Sequence, residues 1–356
     1  MKVFPDSGDA LTYAIFVLLP VMSGALLVWL ARCSRRAGSR KKGHMVAGAN
    51  LLVFVLTAST VMVAMESYYR FCCDTTDSFA LTRTSQCWMQ RHWKLNSSGF
   101  RDSLTAYPAP RTPGQRRITF IGDSFTAGYG IANVEDRFAN RIRSGGEAEV
   151  QVMAKLGFDT GDEIKLVQAL VAQHYQLDEV VLVYNLNDLS DIDPDWQAVD
   201  RRINSTNSPG FLVEHSFLFN TYYYHLKARF EPDIANYYQS VRKAYDGPVW
   251  EEQQQRLKSL RSLVETNGGH LLVVTFPFLQ HLGPDYEFRS VHVKLYKFWQ
   301  EQGVPHLDLL GLFEARRHQS LTVNSHDAHP NANAHALATE AIDDFLSKNV
   351  RREHHS

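Results

Sequence analysis

One stretch of the chain indicates the fold directly: residues 117–130 read RITFIGDSFTAGYG. It begins with a short β-branched and apolar run, Arg117 to Ile121, which is typical of a buried strand. The run ends in a glycine-assisted turn, Gly122-Asp123-Ser124. Ligands of open α/β sheets bind beyond the carboxyl ends of the strands. Ser124 is therefore a candidate functional residue.

Four more strand-like runs follow, and helix-patterned stretches separate them. The runs are Val150 to Ala154, Val180 to Tyr184, Leu271 to Thr275 and His306 to Leu309. The helix-patterned stretches are Glu135 to Arg143, Asp162 to Gln173, Trp250 to Thr266, Tyr286 to Gln302 and Ala334 to Lys348. This alternation predicts an α/β fold with a parallel sheet that is covered by helices on both faces.

The composition is that of a globular protein with a buried core. The chain has 356 residues, and 37 Lys and Arg against 38 Asp and Glu give a formal net charge of −1. Because there is no overall basic field, we expect no nucleic-acid partner. Four cysteines are too few for a disulfide-built scaffold. A mean hydropathy of −0.27 argues against a polytopic transporter.

Two uncharged apolar segments, Ala10 to Ala31 and Met45 to Met65, precede the α/β region. Each is long enough to cross a bilayer as a helix, which takes about 20 residues. The loop between them, residues 32–44, holds six Lys and Arg and no acid, which predicts that it stays cytoplasmic. We therefore expect residues 1–70 to form a two-helix transmembrane hairpin that binds the lipid bilayer. Everything after about Glu66 would then lie on the extracytoplasmic side.

A cleaved signal peptide and a pair of buried core helices are the two alternatives to the hairpin. A cleaved signal peptide has a basic start and an apolar stretch of about 7–15 residues. Here Asp6 and Asp9 precede a longer apolar run. Two buried core helices are disfavoured because the segments are apolar on all faces and flank a cationic loop. Outside the membrane, one disulfide could join Cys72 or Cys73 to Cys87, or all three could be reduced thiols.

The rest of the chain divides into a polar connector, residues 71–115, and an α/β domain, residues 116–350. Within that domain, residues 192–246 form an insertion that is longer than a normal crossover and rich in aromatic side chains. The insertion could be a lid or a carbohydrate platform. The favoured interpretation is a helical insertion that packs its aromatic side chains on the core or on a membrane surface.

Companions for Ser124 follow two other strands and occupy the last loop. The N–H of Gly157 and the side-chain amide of Asn187 could join the N–H of Ser124 in holding a developing oxyanion. His329 could accept the serine proton, and Asp327 could orient the imidazole. Taken singly, Gly157 could be a turn glycine and Asn187 a helix cap.

A metal site is the competing interpretation of the histidine-rich segment near the end of the chain. His326, Asp327, His329 and His335 form a local cluster. A zinc signature such as H-E-x-x-H is absent, so we expect no metal.

Four blocks of this chain resemble, in order, those of the SGNH (GDSL-type) hydrolases. They are Gly122-Asp-Ser124, Gly157, Asn187-Asp188 and Asp327-Ala-His329-Pro, within a match from about Ile118 to Leu346. The resemblance implies a flavodoxin-like three-layer α/β/α sandwich with a five-stranded parallel sheet, and no cofactor. The segment Asn96 to Asp102 also resembles the lead-in of bacterial members that carry membrane anchors.

The resemblance also implies roles for single residues. Ser124 would be the nucleophile, His329 the base and Asp327 the third member of the triad. Ser124, Gly157 and Asn187 would form the oxyanion hole, with Asp123 and Asp188 in supporting positions.

Two positions depart from the family pattern. One residue, Ala328, separates Asp327 from His329, where the family usually has two. Asn185 stands where the third block usually begins with glycine, which would narrow the site. The nucleophile elbow G-x-S-x-G does not occur, so the α/β-hydrolase architecture is excluded.

Together these features predict a membrane-anchored serine esterase or deacetylase in the bacterial inner membrane, with its catalytic domain in the periplasm. It would act through an acyl-enzyme on an ester-bearing small molecule or on O-acyl groups of cell-envelope or exported glycan. This substrate class rests on location and family analogy. An O-acetyltransferase with the same triad and a non-catalytic module that binds glycan or a partner protein are the alternatives.

Overall fold

The computed structural model describes residues 6–35, 39–204, 208–232, 236–280 and 282–353. The chain folds into two compact units. The first comprises Met1–Thr75, Leu81–Cys87 and Thr206–Ala228, and the second comprises Thr76–Ala80, Trp88–Ser205 and Arg229–Ser356.

The first unit is built on two long helices, α1 (Ser7–Ser34) and α2 (Ser39–Ser67), and a π-helical turn at Tyr68–Cys72 extends α2. Both helices are long and apolar enough to cross a membrane, and only 11% and 6% of their apolar windows are buried. The two helices run beyond the predicted apolar segments into the polar flanks, because helical hydrogen bonding continues past the last apolar residue. Residues 36–38 of the predicted cytoplasmic loop lie outside the described residues.

Three further helices contribute to the first unit. They are the first half of α3 (Arg83–His92), together with α8 (Phe211–His215) and nearly all of α9 (Phe217–Phe230). No helix is predicted in the connector, so α3 is a helix that the sequence pattern did not indicate. Its sequence is mostly polar and lacks the apolar periodicity that marks a helix.

The second unit contains a five-stranded sheet in which every strand pair is parallel. Its strands are β1 (Arg117–Gly122), β2 (Glu149–Ala154), β3 (Glu179–Asn185), β4 (His270–Phe276) and β5 (His306–Asp308). The strand order is β2-β1-β3-β4-β5. The predicted α/β fold class is therefore confirmed. The order reverses direction at β1, which is where doubly wound sheets open a crevice for a ligand.

Helices flank this sheet and bury its side chains. They are α4 (Ser124–Ala127), α5 (Phe138–Ser144), α6 (Thr160–Ala172), α7 (Pro194–Asn204), α10 (Tyr237–Ala244), α11 (Pro248–Thr266), α12 (Arg289–Glu301), α13 (Leu310–Ala315) and α14 (Ala332–Glu353). Strands β1 and β3 are buried along their whole length, as expected for central strands with helices on both faces.

A small antiparallel pair lies apart from the main sheet. It consists of β6 (Thr322–Asn324) and β7 (Asp327–Pro330). Asp327 and His329 are predicted on a loop, whereas in the structure both lie on β7. Strands this short show too little alternation to be recognised from sequence.

Candidate active site

The turn that carries Ser124 is shaped by its neighbours. A Cβ at Gly122 would lie 2.8 Å from the carbonyl oxygen of Val183, so only glycine lets β1 end this close to β3. The carboxylate of Asp123 accepts a hydrogen bond of 2.8 Å from the N–H of Phe125 and caps α4. Gly128 closes the helix in the left-handed conformation, at φ 73°. Ser124 is thus held on the first residue of a one-turn helix at the carboxyl end of β1.

Three side chains form a continuous hydrogen-bonded relay. Ser124 Oγ lies 2.8 Å from His329 Nε2, and His329 Nδ1 lies 2.6 Å from Asp327 Oδ1. The backbone N–H of His329 also donates to Asp327 Oδ1, at 3.0 Å. Asp327 and His329 both lie on β7, with only Ala328 between them. In this conformation the carboxylate of Asp327 reaches the imidazole of His329, so the short spacing does not prevent their hydrogen bond.

The second oxygen of Asp327 is held by a residue that the sequence analysis did not identify. Thr76 Oγ1 donates a hydrogen bond to Asp327 Oδ2 from 251 positions away along the chain. The neighbouring Ser78 fixes the same hairpin, since its N–H donates to His326 O at 3.0 Å and its Oγ accepts from the N–H of Ala328 at 2.9 Å. No local pattern in the sequence marks Thr76, because its partner is defined only by the tertiary fold.

Burial and neighbouring charges shift the pKa of His329, and also that of Asp327, in opposite directions. Burial alone would lower the pKa of His329, but the adjacent Asp327 carboxylate outweighs burial and raises that pKa above the ordinary value for histidine. Burial would raise the pKa of Asp327, whereas the His329 imidazole and the Thr76 hydroxyl together hold it below the usual range. The lowered pKa favours the ionised form of Asp327 beside the imidazole.

Aromatic rings surround the imidazole of His329. The ring of Tyr129 lies edge-on at 4.9 Å between centroids, and the ring of Phe125 lies at 5.2 Å. Trp88 and Trp93 in turn pack edge-on against Tyr129, at 5.5 and 6.1 Å. This packing restricts rotation of the imidazole. The sequence analysis assigned no role to these residues, because a lone aromatic residue after a turn carries no specific signal.

The expected oxyanion donors border the same cleft as Ser124 and His329. The cleft has a volume of about 550 Å³, and its lining includes Gly157 and Asn187. Gly157 adopts φ 70°, and no atom lies within 4 Å of the position that a Cβ would occupy. Its left-handed conformation therefore favours glycine, while the space beside it stays open to a ligand. Asn187 Oδ1 is buried without a hydrogen-bond partner among the described residues.

Asn185 stabilises the turn that carries Ser124. Its Nδ2 donates to Asp123 Oδ2 at 3.0 Å, and it is absent from the residues that line the cleft. The expectation that Asn185 narrows the site is therefore wrong, because its side chain is used in bonding a buried carboxylate. Burial raises the pKa of Asp123, although the Asn185 amide and the N–H of Phe125 act in the opposite sense.

Asp188 connects the end of β3 to the start of α6. Its Oδ2 accepts a hydrogen bond of 2.8 Å from the N–H of Asn185, and its carbonyl oxygen accepts one of 2.9 Å from the N–H of Thr160. Burial, followed by the negative charge of Glu163, raises the pKa of Asp188 well above its usual value. Its contacts are those of a structural residue that fixes the loop bearing Asn187.

Aromatic side chains form much of the remaining cleft wall. They are Phe79, Phe158, Trp196, Tyr237, Tyr238 and Phe278. The rings of Trp196 and Tyr237 lie 4.6 Å apart, and those of Tyr238 and Phe278 lie 4.9 Å apart. Trp196 on α7 and Tyr237 on α10 come from the two ends of the 192–246 insertion, so these ends belong to the cleft. The middle of the insertion, in α8 and α9, belongs to the first unit.

The histidine-rich segment does not converge on one point. The only group of metal-compatible ligand atoms found in the described part of the chain is Asp6, Asp9 and His215, in the first unit. His335 is instead stacked on Phe138 at 5.6 Å, and its Nδ1 accepts a hydrogen bond from the N–H of Phe138.

No family model and no curated protein matches the chain. Among solved structures, a member of the lipolytic protein G-D-S-L family from Veillonella parvula is 14% identical over 64% of this chain and 95% of its own, with a TM-score of 0.39. The psychrotrophic esterase EstA from Pseudoalteromonas is 13% identical over 66% of this chain and 99% of its own, with a TM-score of 0.39. A two-domain esterase active on acetylated mannans is 13% identical over 65% of this chain, with a TM-score of 0.38. This chain spans about half of that esterase, 49% of its length.

Two of these solved structures are esterases and one is a member of the G-D-S-L family. The five-stranded parallel sheet of this chain is the fold implied by the resemblance of its four sequence blocks to the SGNH hydrolases.

Proposed function

We propose that this chain is an SGNH-type serine esterase that removes O-acyl groups from cell-envelope or exported glycan. The observation that carries the proposal is the relay from Ser124 Oγ through His329 to Asp327, with distances of 2.8 and 2.6 Å, at the edge of an open cleft. A serine hydroxyl is a weak nucleophile until a base takes its proton, and His329 is within hydrogen-bond reach of that proton.

The reaction follows in two halves. His329 Nε2 removes the proton of Ser124 while Oγ bonds to the ester carbonyl carbon. His329 then gives that proton to the departing alcohol oxygen, which leaves an acyl group on Ser124. A water molecule then bonds to the acyl carbon and gives one proton to His329; the bond between that carbon and Ser124 Oγ breaks, His329 returns the proton to Oγ, and the acid leaves. Asp327 keeps its charge throughout and stabilises the imidazolium.

Three donors are assigned to the negative oxygen that forms in each half. They are the backbone N–H groups of Ser124 and Gly157 and the side-chain amide of Asn187. All three residues line the cleft. Donors fixed in place before the reaction lower the barrier because they need not reorganise as charge develops.

The substrate class is argued from the cleft and from the first unit. Flat aromatic side chains line much of the wall, and such rings offer apolar area with few competing rotamers for the faces of sugar rings. Helices α1 and α2 are assigned to the bacterial inner membrane, with the second unit on the periplasmic side. An esterase held there would meet envelope glycan.

The test uses the nucleophile and a matched serine. Ser124→Ala is expected to abolish hydrolysis of a chromogenic acetyl ester and labelling by a fluorophosphonate probe. Ser259→Ala, on the exposed side of α11, should retain both. With acetylated glycan as substrate, the expected product is free acetate. Full activity in Ser124→Ala would remove the proposal.

A further inference from the structure

Helix α9 buries Phe217 and Leu218 together with two polar side chains, and it exposes five large apolar side chains. Asn220 and Thr221 are buried, whereas Tyr222 is 46% exposed and Leu226 is 53% exposed. The exposed apolar side chains recur at helical spacing and form one stripe: Phe219, Tyr222, Tyr223, Leu226 and Phe230. A helix on a water-exposed surface normally packs such a stripe against the protein core. The exposed stripe therefore needs an apolar neighbour.

Buried hydrogen bonds fix the orientation of this helix. The carboxylate of Glu66, which is fully buried, accepts from Ser216 Oγ at 2.7 Å and from the N–H groups of Phe217 and Leu218 at 3.2 and 2.9 Å. Arg70 bonds the same carboxylate at 2.9 Å and donates to the carbonyl oxygen of His215. Because Glu66 satisfies the first N–H groups of α9, the helix cannot roll its apolar stripe inward without stranding a buried charge.

Asn220, one of the two buried polar side chains, is bonded as well. Asn220 Oδ1 accepts a hydrogen bond of 2.8 Å from the N–H of Arg83, and its Nδ2 donates to Val213 O at 3.0 Å. These bonds are made within the first unit. The outward stripe is thus the exposed apolar face of α9.

The stripe is continuous with the apolar surface of α1 and α2. The ring of Phe219 lies 6.1 Å from that of Phe16, and the ring of Tyr222 lies 6.2 Å from that of Tyr69. Helix α8 extends the surface with Phe211 and Leu212, which are both exposed. Phe16 lies in the first half of α1 and Tyr69 just beyond the end of α2, toward the two hairpin ends assigned to the periplasmic side.

We propose that α8 and α9 lie flat in the headgroup region of the bilayer, with the stripe in contact with lipid. This inference rests on the proposed membrane anchorage. Aromatic side chains and cations such as Lys227 and Arg229 are typical of helices that lie in this region. Such helices bury their apolar face about 5–10 Å deep. Lipid is the occupant we assign because the stripe continues the surface of the two apolar helices.

The experiment compares three sites of equal exposure. Leu18 on α1, Leu226 on α9 and Tyr296 on α12 are each 53% exposed. In the full chain with its four native cysteines replaced by serine, Leu18→Cys, Leu226→Cys and Tyr296→Cys are labelled singly with the fluorophore NBD. Each protein is placed in phosphatidylcholine–phosphatidylglycerol vesicles whose acyl chains carry bromine at a shallow or a deep carbon. Circular dichroism checks that each labelled protein is folded.

We expect the label at position 226 to lose about half or more of its fluorescence, and to lose more with shallow than with deep bromine. The label at 18 should be quenched more by deep bromine, and the label at 296 should be unaffected. Quenching at 18 without quenching at 226 would overturn the interfacial helix and leave the anchor in place. No quenching at either site would overturn both. Emission at 226 that depends on protein concentration instead of bromine would assign the stripe to a second copy of the chain.

Discussion

At the scale of single residues, the reactivity assigned to Ser124 depends on whether His329 Nε2 is unprotonated. The carboxylate of Asp327 raises the pKa of His329, so the base becomes protonated at a higher pH than an ordinary histidine would. Protonated His329 cannot accept the serine proton. The rate of the reaction is therefore expected to rise with pH through this elevated pKa.

Asp327→Asn tests that electrostatic link. Without the carboxylate, burial is left to lower the pKa of His329, so the acid limb of kcat/KM should move to lower pH. The rate should also fall by roughly 10⁴, because the amide favours the wrong imidazole tautomer. The measurement is a pH profile of ester hydrolysis. Asp343→Asn, on the exposed side of α14, serves as the control. An acid limb that stays in place in Asp327→Asn would contradict the assignment.

Asn187→Ala tests the side-chain donor. We expect kcat to fall by about 10²–10³ with little change in KM, because the amide acts mainly on charge that develops in the transition state. Asn267→Ala, at the exposed end of α11, should leave both constants unchanged. A change confined to KM in Asn187→Ala would show that the amide binds substrate instead.

The residues of the site differ in how far the sequence could predict them. Ser124, Gly157 and Asn187 each follow a strand, so the parallel sheet alone brings them to one edge. His329 and Asp327 were predicted from their chemistry and the block order. Thr76 could not be predicted, because its hydroxyl becomes relevant only where a distant segment lies beside β7.

At the scale of secondary-structure elements, the five strands begin and end within about one residue of the predicted runs. Buried parallel strands are continuously apolar, which makes them easy to recognise. Helices α8 and α9 were harder to recognise from the sequence, since α9 carries an apolar stripe on its exposed side. The short pair β6 and β7 was missed because three or four residues show no clear period.

The contact between β1 and β3 gives a prediction about stability. Gly122→Ala would place a methyl group 2.8 Å from Val183 O, a backbone atom that cannot move without moving β3. We expect the free energy of unfolding to fall by about 1–3 kcal/mol. Thermal or denaturant unfolding of the detergent-solubilised chain measures this effect.

Gly311→Ala is the matched control, because no atom lies within 4 Å of the added methyl group in helix α13. It should be neutral or stabilise by up to about 1 kcal/mol. If the two variants unfolded alike, the close approach of β1 to β3 would not explain the glycine.

At the scale of the whole molecule, the proposed topology can be tested with native thiols. Cys33 lies at the C-terminal end of α1, and Cys72 is an exposed free thiol at the end of the π-helical turn after α2. In single-cysteine variants, a membrane-impermeant maleimide added to intact spheroplasts should label Cys72. Cys33 should react only after permeabilisation, because six cations hold its loop in the cytoplasm. The reverse pattern would show that the hairpin is inverted.

The segment Thr76 to Ser78 also limits how the molecule can be shortened. It follows the last apolar helix by only a few positions. Thr76 nevertheless donates a hydrogen bond to Asp327, and Ser78 accepts one from Ala328 on the same strand, β7. A fragment that began at β1 would keep the five residues assigned to the reaction: Ser124, Gly157, Asn187, Asp327 and His329. It would still lose the hydrogen bonds made by Thr76 and Ser78. We therefore expect cleavage between Thr76 and the sheet to lower the proposed hydrolase activity, and an active fragment to begin before residue 76.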